Sequence, residues 1–438
     1  MLSRYRRLAS RRMPLWIFGI LAIWWAGSVI SYYQEDLDSE LVADSAYRLT
    51  EPSWAIANEL EDDPLWLQYL LLFDSSEGTK ESCVEYFEEL SEQEHLDGRG
   101  EQSLRIMKSL ASDDPTPPTD TILKRWKRES RDKENWAWEV EAMQRHFANT
   151  PPKWAATAIR NEQLQQKTIF RLWIASLAVW VAAFIVGLPF IPSALACFKT
   201  ANHQAPSPTT RCWNPLWILG LVFLVLNAGD WFFGIAYAII PMPASWEDSL
   251  FDIVLLDGIW RFIGPALLIA AAMVSWRHGA RILKLHAPPQ WKPILGMLPI
   301  VAIYDLIIWK LCDWANLTDS SGGIYFDEDG INGLVYAITS AVIFAPIAEE
   351  IVFRGFLFQS LERRTGFWAA TLVSTFVFAM IHFYGFHGSL SVASFGIVAC
   401  VLYRATGSLW TPIIYHAITN GIITAASWPL YNGLYSDF

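Results

Sequence analysis

Two adjacent glutamates and an arginine interrupt an apolar run at AEEIVFRGFLF, residues 348–358. A lone charge near the centre of a bilayer costs at least about 2.5–3.5 kcal/mol, so such groups usually have a partner or a function. Glu350 and Arg354 are four residues apart, which predicts a charge-assisted pair on one helix face. Glu349 points about 100° away and has no partner in its own helix. We therefore expect another segment to meet it.

Two later apolar runs carry polar side chains that could do so. The first, FVFAMIHF, places Phe378 and His382 on one helix face. The second, WTPIIYHAITNGI, does the same with His416 and Asn420. A carboxylate can activate water as a general base, an imidazole can hold that water or a metal ion, and N–H donors can stabilise an oxyanion. Together these residue types predict a hydrolytic site at membrane depth.

Each feature also has a structural explanation when it is taken alone. A single intramembrane histidine is often an interhelical hydrogen-bond donor, and the Glu350–Arg354 pair could simply clamp two helices. Four such features in three consecutive C-terminal segments favour a site. The other polar residues in apolar runs are less informative: Asp257 and Arg261 are expected to pair, and Asn227, Asp230 and Asp305 could line a cavity or bond a neighbouring backbone.

The composition places these residues in a membrane protein. The chain has 438 residues, of which 53% are hydrophobic, and several apolar runs have the about 20 residues that a helix needs to cross the hydrocarbon. A β-barrel would show short alternating segments instead. We predict an all-α fold, a polytopic transmembrane helix bundle of eight to nine spans. The predicted spans are 13–33, 169–195, 213–241, 251–276, 294–312, 331–358, 366–385, 388–404 and 409–428.

Charge distribution predicts the orientation. Five arginines and no acidic residue precede the first span, which predicts a cytoplasmic N-terminus by the positive-inside rule. That apolar stretch is long and no clean cleavage site follows it, so we interpret it as an uncleaved anchor and not as a signal peptide. Alternation then places the basic loops 277–286 and 362–364 inside and the acidic loop 327–330 outside. This pattern suits a bacterial inner membrane, with an organellar or endoplasmic reticulum membrane as the alternative.

Residues 34–168 differ from the rest of the chain. They include 29 acidic and 15 basic residues, and apolar residues recur at helical spacing. We predict a helical extracytoplasmic domain, with a solvated acidic spacer as the alternative. Nothing in it has the spacing of a catalytic or metal site, and the scattered cysteines argue against a disulfide framework. The other predicted domains are 1–33, a basic arm and first anchor, 169–289, transmembrane helices of unassigned role, and 290–430, the core that carries the site.

The three motifs together resemble those of the CPBP intramembrane proteases, which include the type II CAAX prenyl endopeptidases and the lysostaphin resistance protein A-like proteins. The family motifs are Glu-Glu-x-x-x-Arg, Phe-x-x-x-His and His-x-x-x-Asn (or Asp). Here they fall in order in EEIVFRG, FAMIH and TGSLWTPIIYHAITNGI. A lone EExxxR would be weak evidence, but three motifs in separate apolar runs form a specific signal. The resemblance covers about residues 290–430.

The resemblance implies a role for each motif residue. It implies that Glu349 activates the attacking water, helped by His382. It implies that His416 and Asn420 stabilise the oxyanion, and that the predicted ion pair supports the site. A cofactor stays open, because the family has been described both as metalloproteases and as metal-independent glutamate proteases. Glu349, His382 and His416 could supply the three protein ligands of a catalytic zinc.

The predicted span boundaries conflict with this site in depth. They put Glu349 near the cytoplasmic end of its span and His382 near the outer end of the next, on the order of 15 Å apart. Either the segment after Gly355 re-enters the membrane, or the boundaries are wrong by several residues. The amphipathic stretch FLFQSLERRTGFW favours re-entry.

We predict an intramembrane endopeptidase that hydrolyses a peptide bond at or within the membrane with water activated by Glu349 and His382. Its expected partners are the lipid bilayer and a peptide or protein substrate, lipidated or not, and no nucleic acid. The alternative is a non-catalytic membrane scaffold or immunity protein that binds a partner through residues 34–168, although a scaffold needs no unpaired Glu349. A transporter would usually show inverted repeats and broken helices, which the sequence does not indicate.

Overall fold

The computed structural model describes residues 39–72, 74–92, 96, 98–111, 118–132, 136–147, 150–202, 215–239, 250–272, 283–315, 317, 330–382 and 384–431. All regular elements in these ranges are helices, which confirms the all-α prediction. The predicted first span, 13–33, lies outside them. The chain forms two compact units. The helical unit takes its residues mainly from Glu35–Ala178, with Ala426–Phe438, and the membrane unit takes its residues from Val179–Gly322 and Ile331–Ala425.

The helical unit is built around buried aromatic side chains. Its described helices are α1 (Ser39–Leu60), α2 (Leu65–Leu72), α3 (Ser76–Glu92), α4 (Gly98–Leu110), α5 (Asp120–Asp132), α6 (Ala137–Phe147) and the first part of α7 (Lys153–Gly187). Trp54, Trp126 and Trp138 are fully buried in one apolar core with Phe87 and Met107. Large aromatic side chains bury much apolar area each, which gives this acidic segment enough of a core to fold. Its extracytoplasmic location stays a prediction.

The membrane unit continues from the end of α7. Its described helices are α8 (Ile191–Ala201), α9 (Pro215–Leu226), α10 (Ala228–Ile239), α11 (Leu250–Ala272), α12 (Trp291–Trp314), α13 (Ile331–Thr365), α14 (Phe367–Met380), α15 (Phe386–Thr406) and the first part of α16 (Trp410–Tyr431). Within the described residues, five segments are long and apolar enough to cross a membrane: Lys153–Ala201, Leu250–Ala270, Trp291–Trp314, Ile331–Thr365 and Phe386–Thr406. The protein is therefore a multi-pass helix bundle, as predicted.

One predicted span is interrupted. The run predicted at 213–241 forms two helices, α9 and α10, which meet at Asn227. The Asn227 side chain donates to the carbonyl of Phe223 at 2.8 Å, and so bonds a neighbouring backbone, one of the two roles predicted for it. The expectation that no helix is broken was therefore wrong, and it no longer counts against a transporter.

Helix α13 carries the two glutamates between two widened stretches. Its α-helical turns at Ala345–Glu350 are flanked by π-helical segments at Ile338–Phe344 and Ile351–Phe358. Pro346 has no N–H to donate and its ring crowds the preceding turn, so a regular α-helix is disfavoured just before it. π-Helical turns occur frequently at functional sites. The local geometry of the glutamates is therefore set by irregular backbone on both sides.

The length of α13 resolves the conflict in depth. The helix continues without a break to Thr365 and turns at Gly366, whose φ of 82° is accessible to glycine. Glu349 and His382 then lie at nearly equal distances along the chain on either side of this turn, and at similar depth. The expected re-entry after Gly355 was wrong, and the predicted end at 358 was too early. The amphipathic stretch continues the helix because several of its polar residues are buried, as Glu362 is where it pairs with Arg404 of α15, while Arg364 stays exposed.

Two glycines permit the close packing around α13. A Cβ on Gly355 would lie 2.6 Å from Cδ2 of Leu283, and one on Gly396 of α15 would lie 3.0 Å from Oγ1 of Thr375. Larger side chains at these positions would push the neighbouring segments away. The glycine that follows the arginine in the first motif thus has a packing reason.

Candidate active site

The ion pair predicted on α13 is present and completely buried. Arg354 Nη1 donates to Glu350 Oε1 at 2.9 Å, and neither side chain has exposed surface. Arg354 Nη2 donates to the carbonyl of Gly396 at 3.3 Å. The guanidinium also lies 4.4 Å from the ring centroid of Phe378, a cation–π distance. The pair therefore ties α13 to α14 and α15.

His416 joins this pair from α16. Its Nδ1 lies 3.1 Å from the same Oε1 atom of Glu350. A carboxylate accepts hydrogen bonds, so Nδ1 carries the proton and donates. The other ring nitrogen, Nε2, lies 4.0 Å from Oε2 of Glu349. His416 thus has one nitrogen committed to the buried pair and the other directed to the second glutamate.

Glu349 lies beside this cluster but is not hydrogen-bonded to it. Its Oε2 is 4.0 Å from His416 Nε2, and its Oε1 is 4.0 Å from Nη1 of Arg261. Both distances are within ion-pair range and too long for hydrogen bonds. Among the residues that the structure describes, buried Oε2 has no hydrogen-bond partner. The expectation that other segments meet Glu349 is confirmed, and α11 and α16 supply them. A carboxylate oxygen in this state can accept a proton from water.

Arg261 of α11 is the residue that sequence reasoning missed. Its Nε donates to both oxygens of Asp257, at 2.9 and 3.1 Å, which confirms the predicted pair. Its Nη2 donates to Ser340 Oγ at 2.9 Å, so the third nitrogen is held towards Glu349. The available signal was the guanidinium itself, because its five donors exceed what one aspartate accepts. An intramembrane arginine with spare donors is a candidate for a site.

Phe378 explains the spacing of the second motif. Its carbonyl lies 2.7 Å from Nδ1 of His382, one turn later, so Nδ1 carries the proton and donates. Its ring contacts those of Phe353 and Phe395, at 5.0 and 5.8 Å between centroids, and lies 4.7 Å from the His382 ring. The phenylalanine therefore fixes the imidazole, and Nε2 is left as the proton acceptor of the neutral ring.

Asn420 uses its amide on the backbone of α13. Its Nδ2 donates to the carbonyl of Ala341 at 2.8 Å. In the π-helical segment the N–H of Ala345 bonds the carbonyl of Ser340, five residues earlier. The same register would pair Ala341 with Pro346, which has no N–H. Asn420 thus satisfies a carbonyl that the helix cannot, and its second amide hydrogen is the one that could serve an oxyanion.

The arrangement does not form a ready metal site. A catalytic zinc needs three protein donor atoms within about 2.0–2.3 Å of one point. Within the described ranges, no group of three or more His, Cys, Asp or Glu side chains has such an arrangement. The Arg261 guanidinium beside Glu349 would also face the ion. Glu349, His382 and His416 therefore do not fit a bound divalent ion as they stand.

Comparison with known proteins agrees with the three motifs. Residues 331–422 match the family described as type II CAAX prenyl endopeptidase Rce1-like. A Bacillus subtilis (strain 168) protein named "Putative membrane peptidase YdiL" is 34% identical over 95 residues, which are 22% of this chain and 38% of that protein. "Uncharacterized protein YyaK" of the same organism is 26% identical over 229 residues, 48% of this chain and 73% of that protein. No solved structure matches.

These matches confirm the family resemblance over the segment that holds the motifs. The similarity is to CAAX-type intramembrane proteases in general. The chain aligns with well under half the length of YdiL. Arg261 and the whole helical unit lie outside residues 331–422, so the family match says nothing of their roles.

Proposed function

We propose that the protein is an intramembrane endopeptidase that hydrolyses a peptide bond with a water molecule activated by Glu349. The observation that carries the proposal is the state of this carboxylate. The side chain is partly buried, and Arg261 Nη1 and His416 Nε2 each lie 4.0 Å from one of its oxygens. Its Oε2 has no hydrogen-bond partner in the described structure. A glutamate with a purely structural role would be expected to accept close hydrogen bonds from a cation, as Glu350 does at its Oε1, although the Oε2 of Glu350 also has no partner in the described structure.

The first step is attack by water on the scissile carbonyl. Glu349 takes one proton from the water as the oxygen forms its bond to the carbonyl carbon. His382 Nε2 accepts a hydrogen bond from the same water and fixes its orientation, because Nδ1 is already donating to Phe378. The carbonyl π electrons move to its oxygen, which becomes the oxyanion of a tetrahedral intermediate.

His416 and Asn420 stabilise that oxyanion. His416 donates from Nε2 when both ring nitrogens carry protons, because Nδ1 is committed to Glu350. Asn420 donates with the amide hydrogen that Ala341 does not use. Donors fixed before the reaction stabilise a developing charge most effectively. When the C–N bond breaks, Glu349 returns its proton to the leaving amine, so the products are a carboxylic acid and an amine.

Glu350 and Arg354 hold the site and do not touch the substrate. Both are fully buried, and they fix His416 from one side and Phe378 from the other. Breaking either partner would leave an uncompensated charge in the interior. The proposed catalytic group is therefore Glu349 with His382, His416 and Asn420, and the buried pair positions it.

The proposed substrate is a peptide or protein that reaches the membrane, with lipid-modified chains included because the matching family is named for prenyl endopeptidases. The proposed location is a bacterial inner membrane with the N-terminus in the cytoplasm. The competing function is a scaffold that binds a partner through residues 34–168, and it differs from the protease in needing no chemistry at Glu349.

The deciding experiment compares newly formed peptide termini in cells that carry the wild type, Glu349→Gln or Glu89→Gln at matched protein levels. Glu89 is an exposed residue of α3, so its variant controls for loss of one carboxylate elsewhere. Termini that disappear with Glu349→Gln and persist with Glu89→Gln would support proteolysis and identify the substrate. Identical termini in all three strains would favour the scaffold.

A further inference from the structure

Helix α2 of the helical unit presents its apolar side outward. Leu65, Trp66, Tyr69 and Leu70 are 64, 67, 52 and 58% exposed. On a helix these four positions fall within an arc of about 140°. The sequence of α2, LWLQYLLL, contains no charged residue. Soluble proteins rarely expose contiguous apolar patches of this kind unless something binds there.

The inward side of α2 is fixed by a buried glutamine. Gln68 Nε2 donates to the carbonyls of Asp63 and Glu61, at 2.8 and 3.3 Å. Its Oε1 accepts from the backbone N–H of Ser76 at 2.8 Å. Gln68 thus holds the chain on both sides of the helix, and Leu71 packs into the core beside it. The outward direction of the apolar face therefore follows from the fold and is not an accident of one side-chain rotamer.

The position of α2 along α7 indicates what covers this face. The carbonyl of Leu71 accepts a hydrogen bond from the indole Nε1 of Trp173 at 3.0 Å. Trp173 lies in the first turn of an uncharged stretch that begins after Arg171 and ends before Lys199. That stretch belongs to the candidate membrane-spanning segment Lys153–Ala201. The end of α2 is therefore level with the point where α7 enters the hydrocarbon.

The residue types on the outward face of α2 agree with a position at the membrane–water boundary. Tryptophan and tyrosine are enriched where a membrane meets water, and leucine favours the acyl region just below. The helical unit also packs onto α7 beyond this point, because Leu177 contacts its core. We propose that the outward face of α2, defined by Leu65, Trp66, Tyr69 and Leu70, lies in the interface of the same bilayer that α7 crosses. It holds the helical unit against the membrane surface, and this role does not depend on the proposed protease activity.

Spin labels on the full-length protein in phospholipid vesicles test the proposal. A nitroxide is attached at Tyr69→Cys on α2, and at Glu85→Cys on an exposed position of α3 as the matched control. Collision rates are measured with oxygen, which concentrates in lipid, and with a water-soluble nickel chelate. The parent protein is labelled in parallel to measure the contribution of its own cysteines.

We expect the label at position 69 to collide several-fold more with oxygen than with nickel, and the label at position 85 to show the reverse. Both labels replace exposed side chains, so the unit should stay folded, and resistance of Cys83 to alkylation reports this. Nickel collisions at position 69 equal to those at position 85 would place α2 in water and overturn the proposal. Protection of position 69 from both reagents would show that protein covers the face, either another segment of this chain or a second copy, and would overturn it as well.

Discussion

The helical unit and the membrane unit each bury carboxylates around an arginine, and they complete these clusters differently. In the helical unit, Arg125 pairs with Glu139 and lies 3.4 Å from Glu129. The second oxygen of Glu139 accepts the backbone N–H of Trp136 at 3.3 Å. In the membrane unit, Arg354 and His416 both bond Glu350. Among the residues that the structure describes, none donates a comparable bond to the neighbouring Glu349.

This difference separates a structural ion cluster from a site. Burying a charge is expensive, and the cost is reduced only when the charge is paired and hydrogen-bonded. Glu139 accepts bonds at both oxygens, and Glu350 accepts two bonds at Oε1 while its Oε2 has no partner among the described residues. Glu349 has charged groups only at 4.0 Å within the described structure and accepts no hydrogen bond there. A carboxylate without a hydrogen bond, beside one imidazole and one guanidinium, is suited to the proposed activation of water.

The strongest test of the contrast compares Arg354→Ala with Glu349→Ala. Arg354→Ala leaves Glu350 buried without its cation, and we expect a loss of about 3–5 kcal/mol in stability. Glu349→Ala removes a side chain that bonds nothing strongly, so abundance should stay near that of the wild type. Thermal unfolding in detergent and cellular abundance measure both. Equal losses of stability in the two variants would contradict the distinction between the hydrogen-bonded Glu350 and Glu349, which has no hydrogen bond in the described structure.

Arg261→Lys tests whether the Arg261 guanidinium positions the carboxylate of Glu349. Lysine keeps the charge but cannot bond Asp257 and Ser340 as the planar guanidinium does. We expect kcat to fall by up to about 10²-fold, the cost of a small misplacement of a catalytic group, with KM unchanged. A substrate found by the comparison of termini provides the assay. Unchanged kcat would restrict Arg261 to a structural role in α11.

Asn420→Ala should destabilise the protein as well as slow it. The partly buried carbonyl of Ala341 loses its donor, and we expect a loss near the lower end of the about 1–3 kcal/mol that an unsatisfied buried group costs. Thr419→Ala is the matched control, because the Thr419 hydroxyl bonds the carbonyl of Tyr415 in its own helix. The two variants are compared by thermal unfolding. Equal midpoints would show that Asn420 has no structural role on α13.

Those parts of the site that depend on one helix could be predicted from the sequence. Glu350 and Arg354 are one turn apart, so their pairing follows from helix geometry. The same geometry turns Glu349 away from the pair. The link between Phe378 and His382 is also local, because the histidine bonds the carbonyl one turn before it. Spacing along the chain decides such contacts before any tertiary packing is known.

The remaining parts depend on which segments meet. The approach of Arg261 to Glu349 joins α11 to α13, and no spacing along the chain encodes it. The end of α13 was missed because hydropathy treats Glu362 as a surface residue, whereas Arg404 from α15 makes its burial tolerable. The π-helical turns were missed because α-helical geometry was assumed throughout. Pro346 was the visible signal there.

Cys83 provides the smallest and most local test, because its thiol is a potential nucleophile that the helical unit buries. Burial raises the pKa of its thiol from 9.0 to about 12, although Lys80 opposes the shift. The thiolate is the reactive form, so at pH 8 we expect no alkylation by N-ethylmaleimide while the unit is folded. A cysteine at the exposed neighbouring position, in Ser82→Cys with Cys83→Ser, should react at once. Between pH 9 and about 12 the unfolded thiol ionises and the folded one does not, so the stability of the unit should fall as pH rises through that window. Mass spectrometry of the labelled peptides locates the reaction, and rapid labelling of Cys83 at pH 8 would show that this unit, like the site at Glu349, leaves a reactive group open.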